Sequence, residues 1–200
     1  NLAKGGVIKV FNRKTGALLV NDGGIIGRLY NGKVVTSQWV DPSYQTKAEN
    51  SQGSISGQFH LVPSNKLFTP FKNILFRATL IAIGWIPAMA HWLKGQIRKS
   101  LILGQRSIPV SFERTFQLDG NQFTIKDKIV VKGGYTFKNL SFGDEFFVRY
   151  VPQSRYFQSQ ELEVEAYVPD EKIMEQLNNQ KELEITRTTD LETKEQKVEV

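Results

Sequence analysis

The alternation of hydrophobic and polar residues is most regular over residues 110–131, where it predicts a β-hairpin. Two charged residues, Arg114 and Asp127, interrupt its apolar face. If residues 119–122 form a four-residue loop, the register places these two side chains opposite each other. A charge on a core face is stable only when it is paired, so we expect a buried ion pair that fixes the register. A ligand-binding or catalytic pair is the alternative. The apolar face itself collects Val110, Phe112, Phe116, Leu118, Phe123, Ile125, Ile129 and Val131.

Shorter alternating runs, separated by Gly, Asn, Asp and Pro, predict further strands on both sides of this hairpin. Asn31-Gly32 favours a two-residue type I′ turn, because both of its positions need positive φ. Residues 41–52 are polar without periodicity and predict a surface loop. The predicted strands lie at residues 6–12, 17–20, 25–30, 33–40, 54–62, 135–140, 145–151, 161–168, 183–188 and 196–200.

The segment from Phe71 to Lys99 is the most apolar part of the chain. Sixteen residues, 78–93, carry no charge, which is short of the ~20 needed to span a bilayer. We expect a buried strand near residues 74–83 and an amphipathic helix from Pro87 to Lys99 with one basic side. This segment packs in the core, or it contacts a membrane surface or a partner.

A second short helix is predicted from Asp170, a suitable N-cap, through Leu177. Many medium-length strands with little helix indicate a mainly β fold, an antiparallel two-sheet β-sandwich with one or two short helices. We expect residues 1–200 to form a single domain. Because the chain begins with Asn1 rather than Met, we also expect it to be part of a longer protein.

The net charge of +6 is unevenly distributed. Residues 161–200, the acidic C-terminal strands, hold five Lys/Arg against twelve Asp/Glu, which leaves +13 for residues 1–160. Such a basic body attracts acidic polysaccharide, nucleic acid or an anionic membrane surface. The simpler interpretation is an ordinary solvated surface whose charge is unevenly distributed.

Three short motifs carry a resemblance to a known family: Gly5-Gly6-Val7, Asp22-Gly23-Gly24, and Glu113-Arg114-Thr115 followed by Ile125-Lys126-Asp127. Over about residues 5–132 the chain resembles the C-terminal β-sandwich region of heparinase II/III-like polysaccharide lyases. The resemblance implies a domain that follows a helical toroid, with acidic polysaccharide bound between them and eliminated by a Tyr/His pair. This chain has no toroid and no Tyr that matches, so His60 is its one candidate catalytic residue.

Other chemistry has little support in the sequence. The chain has no cysteine, which excludes disulfides and thiolate ligands. Two histidines thirty residues apart, without an acidic cluster, predict neither a metal site nor a cofactor. Asp144 and Glu145 are adjacent strand positions that point to opposite faces, so they do not form a glycosidase pair unless a loop redirects them. No recognition motif for specific nucleic acid is present.

We therefore expect a non-catalytic β-sandwich module of a carbohydrate-active or envelope protein that binds or frames an acidic polysaccharide. A polysaccharide lyase fragment forming one active-site wall is an alternative, as is a peripheral membrane or assembly domain that uses residues 71–99. Partners could also include a missing N-terminal domain, and an extracytoplasmic or envelope location is slightly favoured. The candidate sugar-binding residues are Arg28, Lys33, Trp39, Tyr44, Lys132, Arg149, Tyr150, Arg155 and Tyr156.

Overall fold

A computed structural model describes residues 5–6, 8–39, 41–62, 71, 74, 77–78, 81, 106–143 and 166–200. The chain divides into two compact units, Asn1–Val62 with Ser107–Val200 and, separately, Pro63–Arg106, where the sequence predicts one domain. The predicted strand at 145–151, most of that at 161–168, the pair Asp144 and Glu145, and the predicted helix from Pro87 lie outside the described residues.

The first unit contains eleven described strands and one helix. They are β1 (Ile8–Phe11), β2 (Leu18–Asp22), β3 (Ile25–Leu29), β4 (Val34–Thr36), β5 (Gln45–Glu49), β6 (Gln52–Leu61), β7 (Ser107–Asp119), β8 (Gln122–Val131), β9 (Phe137–Phe142), α1 (Glu171–Gln180), β10 (Glu182–Asp190) and β11 (Gln196–Glu199).

Every pair of described strands in this unit is antiparallel. β1 and β2 form a two-stranded sheet, and the larger sheet has the order β11-β10-β8-β7-β6-β4-β3-β9, with β5 pairing on β6. The sheets curl into a half-barrel, and the predicted mainly β, antiparallel class is confirmed. The inward side chains of alternate strand positions form one apolar core that includes Ile55, Phe59, Phe112, Ile129 and Phe137.

The predicted central hairpin is confirmed as β7 and β8, in the predicted register. The strands pair as far as Asp119 and Gln122, so the loop is two residues, Gly120 and Asn121, rather than four. Gly120 comes first in this loop and takes a φ of 54°, a conformation that glycine adopts without a steric cost.

The predicted hairpin of β3 and β4 is present, but the type I′ turn is wrong. Of Asn31 and Gly32, only Gly32 takes a positive φ. The Gly32 amide donates to the Leu29 carbonyl and the Leu29 amide donates to the Lys33 carbonyl, both at 2.9 Å. These bonds define a three-residue loop that ends in a left-handed glycine, the other common way to close a tight hairpin.

The surface loop predicted for residues 41–52 is also wrong, because residues 45–49 form β5. All five residues of β5 are exposed, and the strand is held by its backbone pairing with β6. With neither side of the strand buried, no alternation of apolar residues is required, and the sequence pattern therefore carries no signal.

Helix α1 begins where the sequence predicts and ends three residues later. Asp170 is its N-cap, and the Asp170 Oδ1 accepts a hydrogen bond from the Ile173 amide at 2.9 Å. Met174 and Leu177 are buried against the sheet. Asn178 then pairs with the outer edge of β9, because its side chain accepts from the Phe137 amide at 2.8 Å and donates to the Phe137 carbonyl at 2.9 Å.

In the unit Pro63–Arg106, five described positions are helical and exposed: Phe71, Ile74, Arg77, Ala78 and Ile81. The buried strand predicted near residues 74–83 is therefore wrong. A continuous apolar run does not distinguish a buried strand from a helix by its period alone. Among the described residues, the helices are too short or too polar to cross a bilayer.

Replacement of Asp170 by Ala removes the N-cap hydrogen bond of α1 and is expected to lower the free energy of unfolding by about 1 kcal/mol. Urea denaturation followed by circular dichroism measures this. Glu171→Ala is the matched control, since it removes a carboxylate from the same helix end without removing the cap. Equal effects of the two variants would show that charge, not the cap, stabilises this end.

Candidate functional site

The predicted ion pair of Arg114 and Asp127 is present on the inner face of β7 and β8. Arg114 Nε donates to Asp127 Oδ1 at 2.6 Å, and Arg114 Nη2 donates to Asp127 Oδ2 at 3.2 Å. Both side chains are fully buried. The two parallel hydrogen bonds give the bidentate geometry in which a guanidinium and a carboxylate bind most strongly.

Two further residues complete this site, and the sequence analysis does not identify either. Asp22, at the end of β2, accepts from Arg114 Nη1 at 2.6 Å and from Arg187 Nη1 at 2.7 Å. Arg187, on the inward face of β10, also donates from Nη2 to Asp127 Oδ2 at 2.8 Å. The four side chains form a closed ring of alternating charge that we call the charge cluster, and none of the four residues is more than 3% exposed.

Glycines allow the backbone to close around the charge cluster. The Gly6 carbonyl accepts from Arg114 Nη1 at 3.2 Å, and a Cβ on Gly6 would lie 2.7 Å from Arg114 Cδ. On the other side, a Cβ on Gly143 would lie 2.9 Å from Arg187 Nη1 and 3.1 Å from Asp22 Oδ2. Any larger residue at these two positions would therefore push against the charged groups.

The charge cluster has no net charge, since two carboxylates face two guanidinium groups. Burial alone would raise the pKa of Asp22, but the guanidinium groups of Arg114 and Arg187 outweigh it and hold that pKa below its usual value. The Asp22 carboxylate is therefore ionised, and the carboxyl groups of Asp22 and Asp127 each contact both guanidinium groups. This leaves no carboxylate to act as a base, and the geometry is that of a structural tie between β2, β7, β8 and β10.

His60, the candidate catalytic residue, lies on β6 and is 1% exposed. The centroids of the Trp39 and Tyr44 rings each lie 5.8 Å from its ring centroid. The Asp41 Oδ2 is 2.9 Å from His60 Nε2, but without the alignment of a hydrogen bond, and His60 Nδ1 has no hydrogen-bond partner among the described residues. His60 is therefore packed among aromatic rings beside a single carboxylate.

Burial lowers the pKa of His60, and the opposing effect of Asp41 is smaller. The imidazole is consequently neutral near pH 7. Burial likewise raises the pKa of Tyr44 well above its usual value, and the Tyr44 hydroxyl lies 3.0 Å from the Gln58 carbonyl and 3.2 Å from the Ser37 carbonyl. A neutral buried histidine beside a tyrosine bonded to backbone suits packing better than proton transfer.

The candidate sugar-binding residues fall into three groups. Trp39 and Tyr44 are buried, so neither offers a ring face for stacking on a sugar. The Tyr44 ring packs directly over Gly57 of β6, where a Cβ would lie 2.2 Å from the ring, and this contact covers the ring face. Arg28, Lys33 and Lys132 are exposed, and Arg149, Tyr150, Arg155 and Tyr156 lie outside the described residues.

A group of exposed basic residues lies around the hairpin of β3 and β4. Arg28 pairs with Asn139 of β9, and an irregularity in this pairing inserts Lys138 as an extra residue on the β9 side. Arg28, Lys33 and Lys138 are exposed, and Tyr30 beside them is 68% exposed. We call these four residues the hairpin surface. Sequence analysis missed Lys138 and Tyr30, because a bulge and a loop tip leave no periodic signal.

The cations of the hairpin surface differ from the lysines on the outer face of β8. Lys126 and Lys128 are paired with Glu184 and Glu182 of β10, each at 2.6 Å. Among the described residues, no carboxylate pairs with the cations of the hairpin surface. The hairpin surface therefore keeps its full positive charge, while the acidic C-terminal strands neutralise the face of β8.

Two open clefts lie along the outer faces of the strands. One of about 280 Å³ is lined by Ser43, Ser56, Ser111, Glu113 and Lys128, among others, and the second runs past Lys47, Glu49 and Lys126. Each contains both signs of charge. Within the described residues there is also no group of three His, Asp or Glu side chains that could hold a metal ion.

Comparison with known proteins finds no matching family model, no curated protein and no solved structure. The resemblance to heparinase II/III-like lyases is therefore not supported by any of the three comparisons.

Replacement of Arg187 by Met leaves Asp22 and Asp127 with fewer cations in a buried site, and is expected to lower the free energy of unfolding by about 3–5 kcal/mol. Urea denaturation at pH 7 measures the loss. Lys128→Met, which breaks an exposed ion pair on the neighbouring strand, is the control and is expected to remain close to the wild type. A similar small effect of both variants would contradict the structural role of the charge cluster.

The stability of the protein is expected to fall as the pH drops from about 6.5, because His60 has a lower pKa folded than unfolded. Above the pKa of His60 in the unfolded chain, the imidazole is neutral in both the folded and the unfolded state, and stability does not depend on its titration. Below that pKa the unfolded state binds more protons than the folded state, so the free energy of unfolding falls. The slope is at most about 1.4 kcal/mol per pH unit for one group. His60→Gln should flatten the profile between pH 7 and 5, and a profile that keeps its wild-type slope in this variant would contradict the prediction.

Proposed function

We propose that this chain is a non-catalytic β module that binds acidic polysaccharide through the hairpin surface. The observation that carries this proposal is a set of exposed cations without carboxylate partners among the described residues, next to an exposed tyrosine, on strands held in a sheet. Arg28 and Lys138 are anchored on paired strands, and Lys33 directly follows the tight loop between β3 and β4.

The side chains of the hairpin surface match the chemistry of an acidic sugar chain. The Arg28 guanidinium can donate two parallel hydrogen bonds to a sulfate or carboxylate, and the ammonium groups of Lys33 and Lys138 add point charges. The Tyr30 ring offers an apolar face to the C–H side of a pyranose, with a hydroxyl at its edge. Charge alone would attract any polyanion, so Tyr30 is the element that favours a saccharide.

The distribution of charge supports the same ligand. Residues 1–160 carry +13, which raises the local concentration of polyanions and speeds their association. Glu182 and Glu184 of the acidic C-terminal strands are paired with lysines of β8. These carboxylates therefore lower the positive charge on β8 and direct a polyanion toward the hairpin surface.

The non-catalytic part of the proposal is supported by the environment of the titratable groups. His60 is buried and neutral, and both carboxylates of the charge cluster are engaged with guanidinium groups. Neither site presents a proton-accepting atom to a ligand on the surface. Binding by the hairpin surface needs no such atom.

The double variant Arg28→Gln with Lys138→Gln is expected to bind a sulfated polysaccharide about tenfold more weakly than the wild type at ~150 mM salt, because two exposed cations are lost. Isothermal titration with size-defined heparin fragments measures this. Tyr30→Ala is expected to weaken binding without changing its salt dependence, since it removes stacking and leaves the charge unchanged.

The matched control is Lys126→Gln with Lys128→Gln, which lowers the net charge by the same amount on the face where glutamates neutralise the lysines. Its affinity is expected to stay close to that of the wild type. Equal losses in the two double variants would mean that only net charge matters, and the hairpin surface would then have no special role. Failure of the wild type to bind any glycan on an acidic-glycan array would contradict the proposal as a whole.

A further inference from the structure

The second unit, Pro63–Arg106, exposes an apolar stripe. Phe71, Ile74 and Ile81 are 74%, 67% and 71% exposed, and Ala78 is exposed between them. These positions are helical and spaced three, four and three residues apart, so they fall within an arc of about 80° at 100° per residue. We call these four residues the apolar stripe. Large apolar side chains grouped on one side of a helix indicate a contact surface rather than random exposure.

The charge of the surrounding sequence is unusual. Residues 63–106 contain seven Lys/Arg and no Asp or Glu. Arg77, one of these cations, is helical and exposed and lies about 40° beyond the edge of the apolar stripe. An apolar stripe flanked by positive charge is the pattern of a helix that lies in the surface of a bilayer, with the apolar side in the acyl region and the cations at the headgroups.

We infer that the apolar stripe attaches this protein to the surface of an anionic membrane. The stripe is about 15 Å long, at a rise of 1.5 Å per residue, which suits a helix lying in the interface. A helix that lies in the interface buries only its apolar side in the bilayer, and the apolar stripe supplies that side. This inference is independent of the hairpin surface, which belongs to the other unit of the chain.

A second copy of the chain fits the apolar stripe less well. Pairing two copies through this unit would bring two segments of seven cations each together, with no carboxylate within residues 63–106 to neutralise them. Anionic lipid headgroups supply the missing negative charge, and each nearby Lys or Arg strengthens such binding. Charge complementarity therefore favours the lipid surface over a copy of the same chain.

The test is co-sedimentation of the full chain with vesicles of phosphatidylcholine alone or with phosphatidylserine added at about one lipid in three. The wild type is expected to pellet with the anionic vesicles and to bind neutral ones much more weakly. The triple variant Phe71→Ser, Ile74→Ser and Ile81→Ser should lower the partition coefficient for anionic vesicles about tenfold or more. Because these side chains are exposed, the variant is expected to fold.

The control is Phe11→Ser, which removes an exposed aromatic residue from β1 in the other unit. Its vesicle binding should equal that of the wild type, and heparin binding of the triple variant should also equal that of the wild type. The experiment is run at ~100 and ~300 mM salt, because binding by charge alone weakens at the higher salt whereas apolar insertion persists. Arg77→Gln should weaken binding to anionic vesicles only.

Two outcomes would overturn the inference. If the triple variant binds anionic vesicles as well as the wild type does, the attraction is purely electrostatic and the apolar stripe is not inserted. If the wild type does not bind vesicles, but sedimentation velocity shows a dimer that the triple variant abolishes, the stripe is an interface between two copies.

Discussion

The charge cluster is the interaction on which the arrangement of the strands depends. Each of its carboxylates contacts both guanidinium groups, so removing any one member leaves a buried charge without its full set of partners. Asp22 lies near the start of the chain and Arg187 near its end. Their contact requires β2 and β10 to be in place together, and this joins the small sheet of β1 and β2 to the large sheet by a polar contact in an otherwise apolar interior. Apolar packing alone is less directional and would specify this docking less sharply.

The separation of buried from exposed charge also organises the surface. Inside, cations and carboxylates are matched one to one, while on the outer face of β8 the acidic strand β10 neutralises lysines in pairs. The hairpin surface and the apolar stripe, on separate units, are two of the places where side chains lack such compensation within the described residues. A surface that leaves charge or apolar area uncompensated is the usual mark of a contact with another molecule.

The fold class and the register of the central hairpin are readable from the sequence, because alternation identifies the buried face and a charged pair on that face must meet. The alternation also places Arg187 on a buried face, since it follows Leu183 and Ile185 at the inward positions of β10. Asp22 carries no such signal: it ends a strand ninety-two positions before Arg114, and only the three-dimensional docking of two sheets brings it to the charge cluster. The sequence likewise does not predict β5 or the bulge at Lys138, because backbone pairing of exposed residues imposes no pattern on side chains.

The capping of β9 by Asn178 has a consequence for aggregation. Among the described strands, β9 is the last of the large sheet, and an uncovered edge of β9 would offer unpaired backbone groups to a strand of another molecule. The Asn178 amide occupies those groups at Phe137, and Tyr167 occupies those at Phe142 through two backbone hydrogen bonds of 2.9 Å. At the opposite edge, β11 is only four residues long and carries Lys197 and Glu199. Both ends of the sheet, as the described strands define them, are therefore poor templates for the growth of intermolecular β-structure, which protects a protein whose core strands are rich in Phe, Ile and Val.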